Sequence, residues 1–427
     1  MDKIRKILGD FDKYVTENSF GIYGREDITT AILLTYCSPL RFHFNGRLLD
    51  RGWMDILIIG DTRCGKTAIA EGIRKSIRLG EFFKCENTSF AGLVGGLQQI
   101  NSKSKWSTVW GRIPVNNGKL LMADEMSSLS IDDISNLSSI RSSGRAEINK
   151  IKHDKARAAT RMIWLSNPRS EKMMGEYQYG VEAIQELIGR PEDISRFDFA
   201  IGVTQTDIPA DVINAIKPPP EPEPRWSSLR ELIRWVWQLQ ATDVEITKEA
   251  CEAIMSIAKS QSDTYTSNIP LVEPSEQRIR LARVSAAVAA RCFSEHGGGL
   301  IVKPRHVEFA DHFMRKCFDH NALKYDRYAL MLKEINKTDE NSYDEMKTFM
   351  ARYIGDNPRR LQKLINLSYI LRSDIEDIFA PIVTVEAREL LGQLLLHGYI
   401  NRAKNSQYRK TALGTSCLSK MLGEFSK

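Results

Sequence analysis

Residues 54–59, Met-Asp-Ile-Leu-Ile-Ile, run straight into Gly60-Asp-Thr-Arg-Cys-Gly65-Lys66-Thr67 and then into an apolar-periodic stretch over residues 68–77. The spacing is G-x-x-x-x-G-K-[ST], set between a buried strand and a helix start as its chemistry requires. Glycines let backbone N–H groups turn inward on phosphates, and the helix N-terminus adds its dipole. Gly60, Asp61, Gly65, Lys66, Thr67 and Ala68 are therefore expected to cradle the phosphates of ATP. Lys66 would reach the β/γ oxygens, and the Thr67 hydroxyl would ligate Mg²⁺. Cys64 reads as a small residue filling a loop position.

A phosphate loop needs a carboxylate on a neighbouring strand. Leu120-Leu-Met-Ala-Asp124-Glu125 supplies two, the first suited to Mg²⁺ and the second to deprotonating a water. Ile163-Trp-Leu-Ser-Asn167 is another apolar strand, ending in an amide that can meet a γ-phosphate or the attacking water. Ile194-Ser-Arg196-Phe-Asp198 places one arginine just before a further strand. Apolar strands at 54–59, 119–123, 161–165 and 197–203 alternate with helical or irregular connections, which predicts an α/β layer with a parallel sheet.

At 427 residues the chain has room for two to four domains. Residues 1–53 read as an N-terminal helical segment and 54–216 as the α/β core. Lys217-Pro-Pro-Pro-Glu-Pro-Glu-Pro224 is a stiff spacer, so 217–225 marks a boundary. Residues 226–325 are helix-patterned, 326–339 form a charged linker, and 340–427 form a last module. There, helices at 359–371, 373–379 and 385–397 precede a hairpin that starts at Gly398, the order of a winged helix-turn-helix. No apolar run is long enough for a membrane span and no signal peptide is expected. Seven scattered cysteines without a C-x-x-C pair argue reduced thiols, a cytoplasmic setting and no zinc finger.

The four motifs in this order resemble the minichromosome maintenance (MCM) helicases of the AAA+ class, Ser195-Arg196-Phe197-Asp198 most of all. The resemblance implies an AAA+ P-loop domain with a helical lid and a C-terminal winged helix. It also implies that Arg196 is a finger reaching the neighbouring subunit's ATP, and that Ile22 and Tyr23 lie beside the adenine. Asn116-Asn-Gly118 stands where the family has Asp-Gly-Gly. In the lid the family's sensor arginine aligns with Glu276, which makes Arg278 its nearest substitute. Gly65-Lys66-Thr67 replaces the family's usual Ala-Lys-Ser, and no counterpart of its OB-fold and zinc collar precedes the core. A compact ATPase of a plasmid, phage or other mobile element suits such an architecture.

Three basic segments bear on the partner. Residues 145–148 and 156–161 can pair as a hairpin with Lys150, Lys152 and Lys155 at or near its tip, where MCM-like ATPases aim a lysine into the ring channel. Residues 98–112 interleave Lys103 and Lys105 with Trp106 and Trp110, a pattern suited to backbone and bases. In the last module Arg402, Lys404, Arg409 and Lys410 crowd the wing. The expectation is a homo-oligomer, hexameric by resemblance, that acts on single-stranded or forked DNA as a helicase or replication-initiation motor, with a replication or loading protein as a further partner. A MoxR-like protein remodeller and an ATPase that loads or regulates another helicase stand as alternatives.

Overall fold

Residues 54–59 are buried throughout: strands pair with them on both edges, and helices pack on the sheet they belong to. The structure, a computed structural model, describes residue 4 and residues 6–101, 105–149, 151, 153–170, 172–214, 224–355, 357–367, 369–403 and 407–425. Along the chain, helix α1 (Glu26–Tyr36) leads to β1 (Asp55–Gly60), α2 (Lys66–Ile77) and β2 (Glu81–Lys84). A hairpin of β3 (Gly95–Asn101) and β4 (Lys105–Trp110) follows, then β5 (Leu120–Asp124). A second hairpin, β6 (Arg145–Asn149) and β7 (His153–Arg157), precedes β8 (Arg161–Ser166), α3 (Val181–Ile188) and β9 (Phe199–Val203).

Five of these strands form one sheet in the order β9-β1-β8-β5-β2, every neighbouring pair parallel. β1, β5, β8 and β9 are buried throughout, which is why they read as unbroken apolar runs. The phosphate loop, Glu125 and Asn167 all follow the carboxyl ends of these strands, where ligands of open α/β sheets collect.

A buried charge network closes the opposite end of the sheet. The Asp55 carboxylate accepts from Arg141 Nε at 2.6 Å and Trp164 Nε1 at 2.9 Å, while the Asp55 amide donates to Asp198 Oδ2 at 2.8 Å. Asp198 also pairs with Arg51, 3.6 Å away, and with Arg283. Removing one member would strand a buried charge, at a cost of about 3–5 kcal/mol.

After the exposed α4 (Ala210–Asn214), Arg283 belongs to a helical layer: α5 (Trp226–Gln238), α6 (Lys248–Tyr265), α7 (Gln277–Arg291) and α8 (Pro304–Phe318). α7 is buried almost all round, and its alanines (Ala282, Ala286, Ala287, Ala289, Ala290) let α1, α6 and α8 approach closely. All of this lies in one compact unit, Met1–Leu330; Met331–Lys427 form a second. Among the described residues no helix is long and apolar enough to cross a membrane.

Helix α9 (Tyr325–Ile354) spans the division between the units. The second unit continues with α10 (Arg359–Asn366), α11 (Arg372–Ile378), α12 (Thr384–Leu396), the hairpin β10 (Ile400–Arg402) and β11 (Tyr408–Lys410), and α13 (Ala412–Phe425). α10 stops at Asn366, short of the expected 371, because the chain turns so that Ile370 and Tyr408 exchange two backbone hydrogen bonds of 2.9 Å. α13 was not anticipated. Its Leu418 and Met421 complete a core with Met346, Met350, Leu390 and Leu394.

Candidate functional site

The loop between β1 and α2 is built for close approach. Gly65 has φ 84°, a left-handed conformation that glycine adopts without strain. A Cβ on Gly60 would collide with the Val203 carbonyl, so only glycine lets β9 pack here. The Asp61 carboxylate does not face the phosphates: Met174 N and Gln205 N donate to it at 2.7 and 2.9 Å, stapling the loop to two neighbouring segments. Lys66 Nζ donates to the carbonyls of Gly60 (2.8 Å) and Asp61 (2.6 Å) and to Asn167 Oδ1 (3.0 Å). Burial pushes its ammonium down to about 8. Thr67 Oγ1 donates to Asp124 Oδ2 at 2.9 Å, so the two expected Mg²⁺ ligands already touch. Gly65, Lys66, Thr67 and Asp124, with Ala68, Glu125 and Asn167, line a cavity of about 290 Å³, whereas Gly60 and Asp61 do not. Burial also pushes the Cys64 thiol up, away from a reactive thiolate.

Glu125 sits at φ 58°, a left-handed position costly for a residue with a side chain. One of its oxygens, Oε1, is 3.3 Å from Lys84 Nζ at the end of β2. The other, Oε2, is buried without a hydrogen-bond partner among the described residues while Glu125 lines the same cavity. A lysine clear of its acceptors by short moves, an acid–hydroxyl pair and an orphaned carboxylate oxygen together fit a triphosphate with its cation and a water. Lys84 carries no motif and was missed from sequence. So was Arg169, whose guanidinium donates to the carbonyls of Ser127, Leu129 and Leu187 at 2.8–3.0 Å and steadies the segment after Glu125.

Ile22 and Tyr23 line a second cavity, of about 430 Å³, which shares Arg63, Cys64 and Gly65 with the first. Its far wall is Gln205, Ile208 and Ile213, on the segment that leaves β9. A buried pair holds that segment down: Arg25 donates to Asp207 Oδ2 at 2.7 Å and to the Thr204 carbonyl at 2.6 Å. Gly24 lies so close to Ile208 that a Cβ would clash with it.

Phosphate loop, acid pair, amide and arginine thus follow one another along a parallel sheet, and the sequence matches the MCM P-loop domain over residues 2–211. The chain is an MCM-like AAA+ protein. It is accordingly an AAA+ ATPase of the MCM type, which binds nucleotide and typically Mg²⁺. Members of the family are typically oligomeric and bind DNA.

In this MCM-like protein Arg196 lies outside both cavities of its own chain. Its backbone is gripped from two sides: Arg51 donates to the Arg196 carbonyl at 2.7 Å, and Arg280 donates to the Ser195 carbonyl at 2.6 Å. Among the described residues the half-buried side chain has a single long hydrogen bond, from Nε to Ser138 Oγ at 3.4 Å. Arg278 is exposed, donates to the Ser275 carbonyl at 2.7 Å and also lines neither cavity.

The hairpin between β5 and β8 pairs Arg145–Asn149 with His153–Arg157, and residues 150–152 lie between the two strands in sequence. Lys150 and Lys152 lie outside the described residues; Ile151 between them is 71% exposed. Lys155 is not at the tip: it stands in β7 opposite Glu147, 2.8 Å from that carboxylate. Residues 98–112 fall on the other hairpin, β3–β4. The two hairpins are joined, since Thr108 donates to Asp154 and a Cβ at Gly95 would lie 3.2 Å from Ile148. Lys103, at the β3–β4 turn, lies outside the described residues.

The basic wing of the second unit does not hold together as one surface. Lys410 turns inward, where its ammonium donates to the Leu364 and Leu367 carbonyls that end α10. Arg402 faces Tyr408 across the hairpin, while Arg409 pairs with Asn401 on the opposite face. Lys404 lies outside the described residues.

Proposed function

We propose that this protein is a ring-forming DNA motor, a helicase or replication-initiation translocase driven by ATP. The observation that carries the reading is the β6–β7 hairpin. It is inserted between Glu125 and the strand that leads to Asn167, so the chain joins it to both; its base, where Ala158 N donates to the Gly144 carbonyl, lies by the amino end of β8, away from the phosphate loop. Two lysines flank the exposed Ile151 between its strands. An ammonium on a flexible stem grips successive phosphates without reading bases, as a moving contact requires. The second unit, three helices and a hairpin with a further helix after it, reads as a winged helix-turn-helix.

Bound Mg·ATP supplies the phosphoanhydride that is hydrolysed. Thr67 and Asp124 would hold the cation, Lys66 would neutralise phosphate oxygens, and the Glu125 carboxylate would take the proton of the attacking water. Asn167 orients that water or the terminal phosphate. Arg196 acts on the ATP of a neighbouring copy, which makes assembly a condition of turnover. The test is the ATPase rate with and without single-stranded DNA, followed by unwinding of a forked duplex by the protein alone. Severalfold stimulation is expected. No response to DNA at any length would transfer the reading to protein remodelling, and stimulation without unwinding would make the chain a loader of another helicase.

A further inference from the structure

With the expected wing broken up, the second unit gathers its cations elsewhere. Arg372 and Ser373 open α11, Arg388 and Gly392 stand on α12, and Arg402 and Tyr408 face each other across the hairpin; together they line a groove of about 610 Å³. None of the residues lining it is an acid. Arg388 and Arg402 are exposed, and Arg372 Nε is 3.4 Å from Glu376 on its own helix. Leu391 and Leu395 form an apolar floor, and a Cβ at Gly392 would meet nothing within 4 Å, so the groove is open along α12.

With Arg372 paired to Glu376, the exposed Arg388 and Arg402 carry the positive charge of the groove, and a bound polyanion would neutralise it. The groove is far larger than a single phosphate. Each guanidinium presents a planar fork that matches phosphate oxygens, and the Tyr408 ring beside Arg402 gives a sugar or base a flat surface. The outer face of α12, where a helix would enter a DNA groove, is less suited. It exposes Val385, Glu389 and Leu396, with Arg388 its one exposed cation.

We infer that the second unit binds the phosphodiester backbone of nucleic acid in the Arg372–Arg388–Arg402 groove and not on the Arg409 face of the hairpin. The inference rests on the DNA-acting reading above. The test uses the full-length protein and a fluorescein-labelled oligothymidylate, with anisotropy read over a range of salt and without nucleotide. Arg388→Ala/Arg402→Ala is compared with Arg409→Ala on the opposite face of the hairpin, each checked for an unchanged melting temperature. The groove variant should bind at least tenfold more weakly, and its salt slope should fall by about 1.4, two cations at about 0.7 each on a single strand. Arg409→Ala should keep the wild-type slope. DNA binding by the wild type that the groove variant retains in full, or that Arg409→Ala loses equally, would overturn the groove while leaving the DNA-acting reading intact. A wild type that ignores the oligonucleotide yet binds labelled polyglutamate would assign the groove to an acidic protein. Binding to neither polymer would overturn both readings.

Discussion

Lys84 Nζ stands 3.3 Å from Glu125 Oε1, so the acid proposed to activate water is held by a cation on the neighbouring strand. The pair draws the lysine's titration upward, chiefly through their hydrogen bond. It also engages the carboxylate that must turn toward a water, from a backbone already in a left-handed conformation. Glu125→Gln should keep nucleotide affinity and lower turnover by about 10²-fold or more, the scale of a lost general base. Lys84→Ala should instead raise basal turnover a few-fold with an unchanged KM. A Lys84→Ala rate below wild type would show that the lysine supports the base and does not restrain it.

Nucleotide binding should take up protons above neutral pH. Burial lowers Lys66 from 10.5 to about 8, so between those values the folded chain has lost a proton that the unfolded chain keeps. This group's contribution to stability therefore rises with pH across that window. Phosphates beside the amine favour its charged form and reverse the shift. Binding should take up about half a proton at pH 8, more at pH 9 and almost none at pH 7. Calorimetry in buffers of different ionisation enthalpy reads the uptake directly. Lys66→Arg, charged throughout, should abolish it. A binding enthalpy independent of buffer at pH 8.5 would contradict the assignment.

Arg25 and Asp207 should set affinity for the base and leave turnover alone. Deleting one partner of a buried pair costs about 3–5 kcal/mol, and two bonds from Thr204 to Asp207 hold the loss near the lower figure. With the far wall freed, Arg25→Met should raise KM for ATP about tenfold and change kcat by less than about twofold. Binding of a triphosphate that lacks the base should be unaffected, because the Lys66 cavity is separate from this pair. Equal weakening of both ligands would mean that the substitution damages the phosphate loop itself.

What could be read from sequence was local chemistry at strand ends. Lys66, Asp124, Glu125 and Asn167 follow three apolar runs, and these with a fourth at 197–203 leave few arrangements of the sheet. Arg25 and Asp207 are 182 residues apart, and nothing in either neighbourhood marks them as partners. Lys84 is one lysine among many until β2 pairs with β5 and brings it opposite Asp124. The wing misled because charge was counted along the chain. Lys410 and Arg409 are adjacent, yet alternation on a strand sends one to the carbonyls of α10 and the other to solvent. α12 and the hairpin were legible from period and turn residues, whereas α13, rich in small and polar residues, shows its role only once Leu418 and Met421 meet the core.

Arg196 should work on a neighbour's nucleotide. Its backbone is fixed by Arg51 and Arg280 while its side chain has one weak hydrogen bond among the described residues, as suits a group that waits for a partner. Such fingers are worth about 10³-fold or more in some NTPases. Arg196→Ala and Lys66→Ala subunits, each inactive alone, should regain activity when mixed, because some interfaces then join an intact loop to an intact arginine. Demonstrated co-assembly without recovery at any ratio would place the arginine's role within its own chain.

The hairpins should couple ATP turnover to DNA as one body. Ala146 and Ile148 face inward from β6, and Ile148 meets the backbone at Gly95 of the neighbouring hairpin. Thr108 fastens the same two elements through Asp154, next to the residue that begins β7. A displacement of β5 or β8 on phosphate loss would therefore move both hairpins together, and Lys150 and Lys152 lie in the sequence that joins β6 to β7. Lys150→Ala/Lys152→Ala should leave basal ATPase and assembly intact and sharply reduce stimulation at saturating DNA, beyond any loss of affinity. Thr108→Val, which keeps volume but removes the donor, should weaken stimulation to a smaller extent while the lysines remain. If the double lysine variant were stimulated like wild type, the hairpin would not be the moving contact. If Thr108→Val alone behaved normally, the two hairpins would act independently.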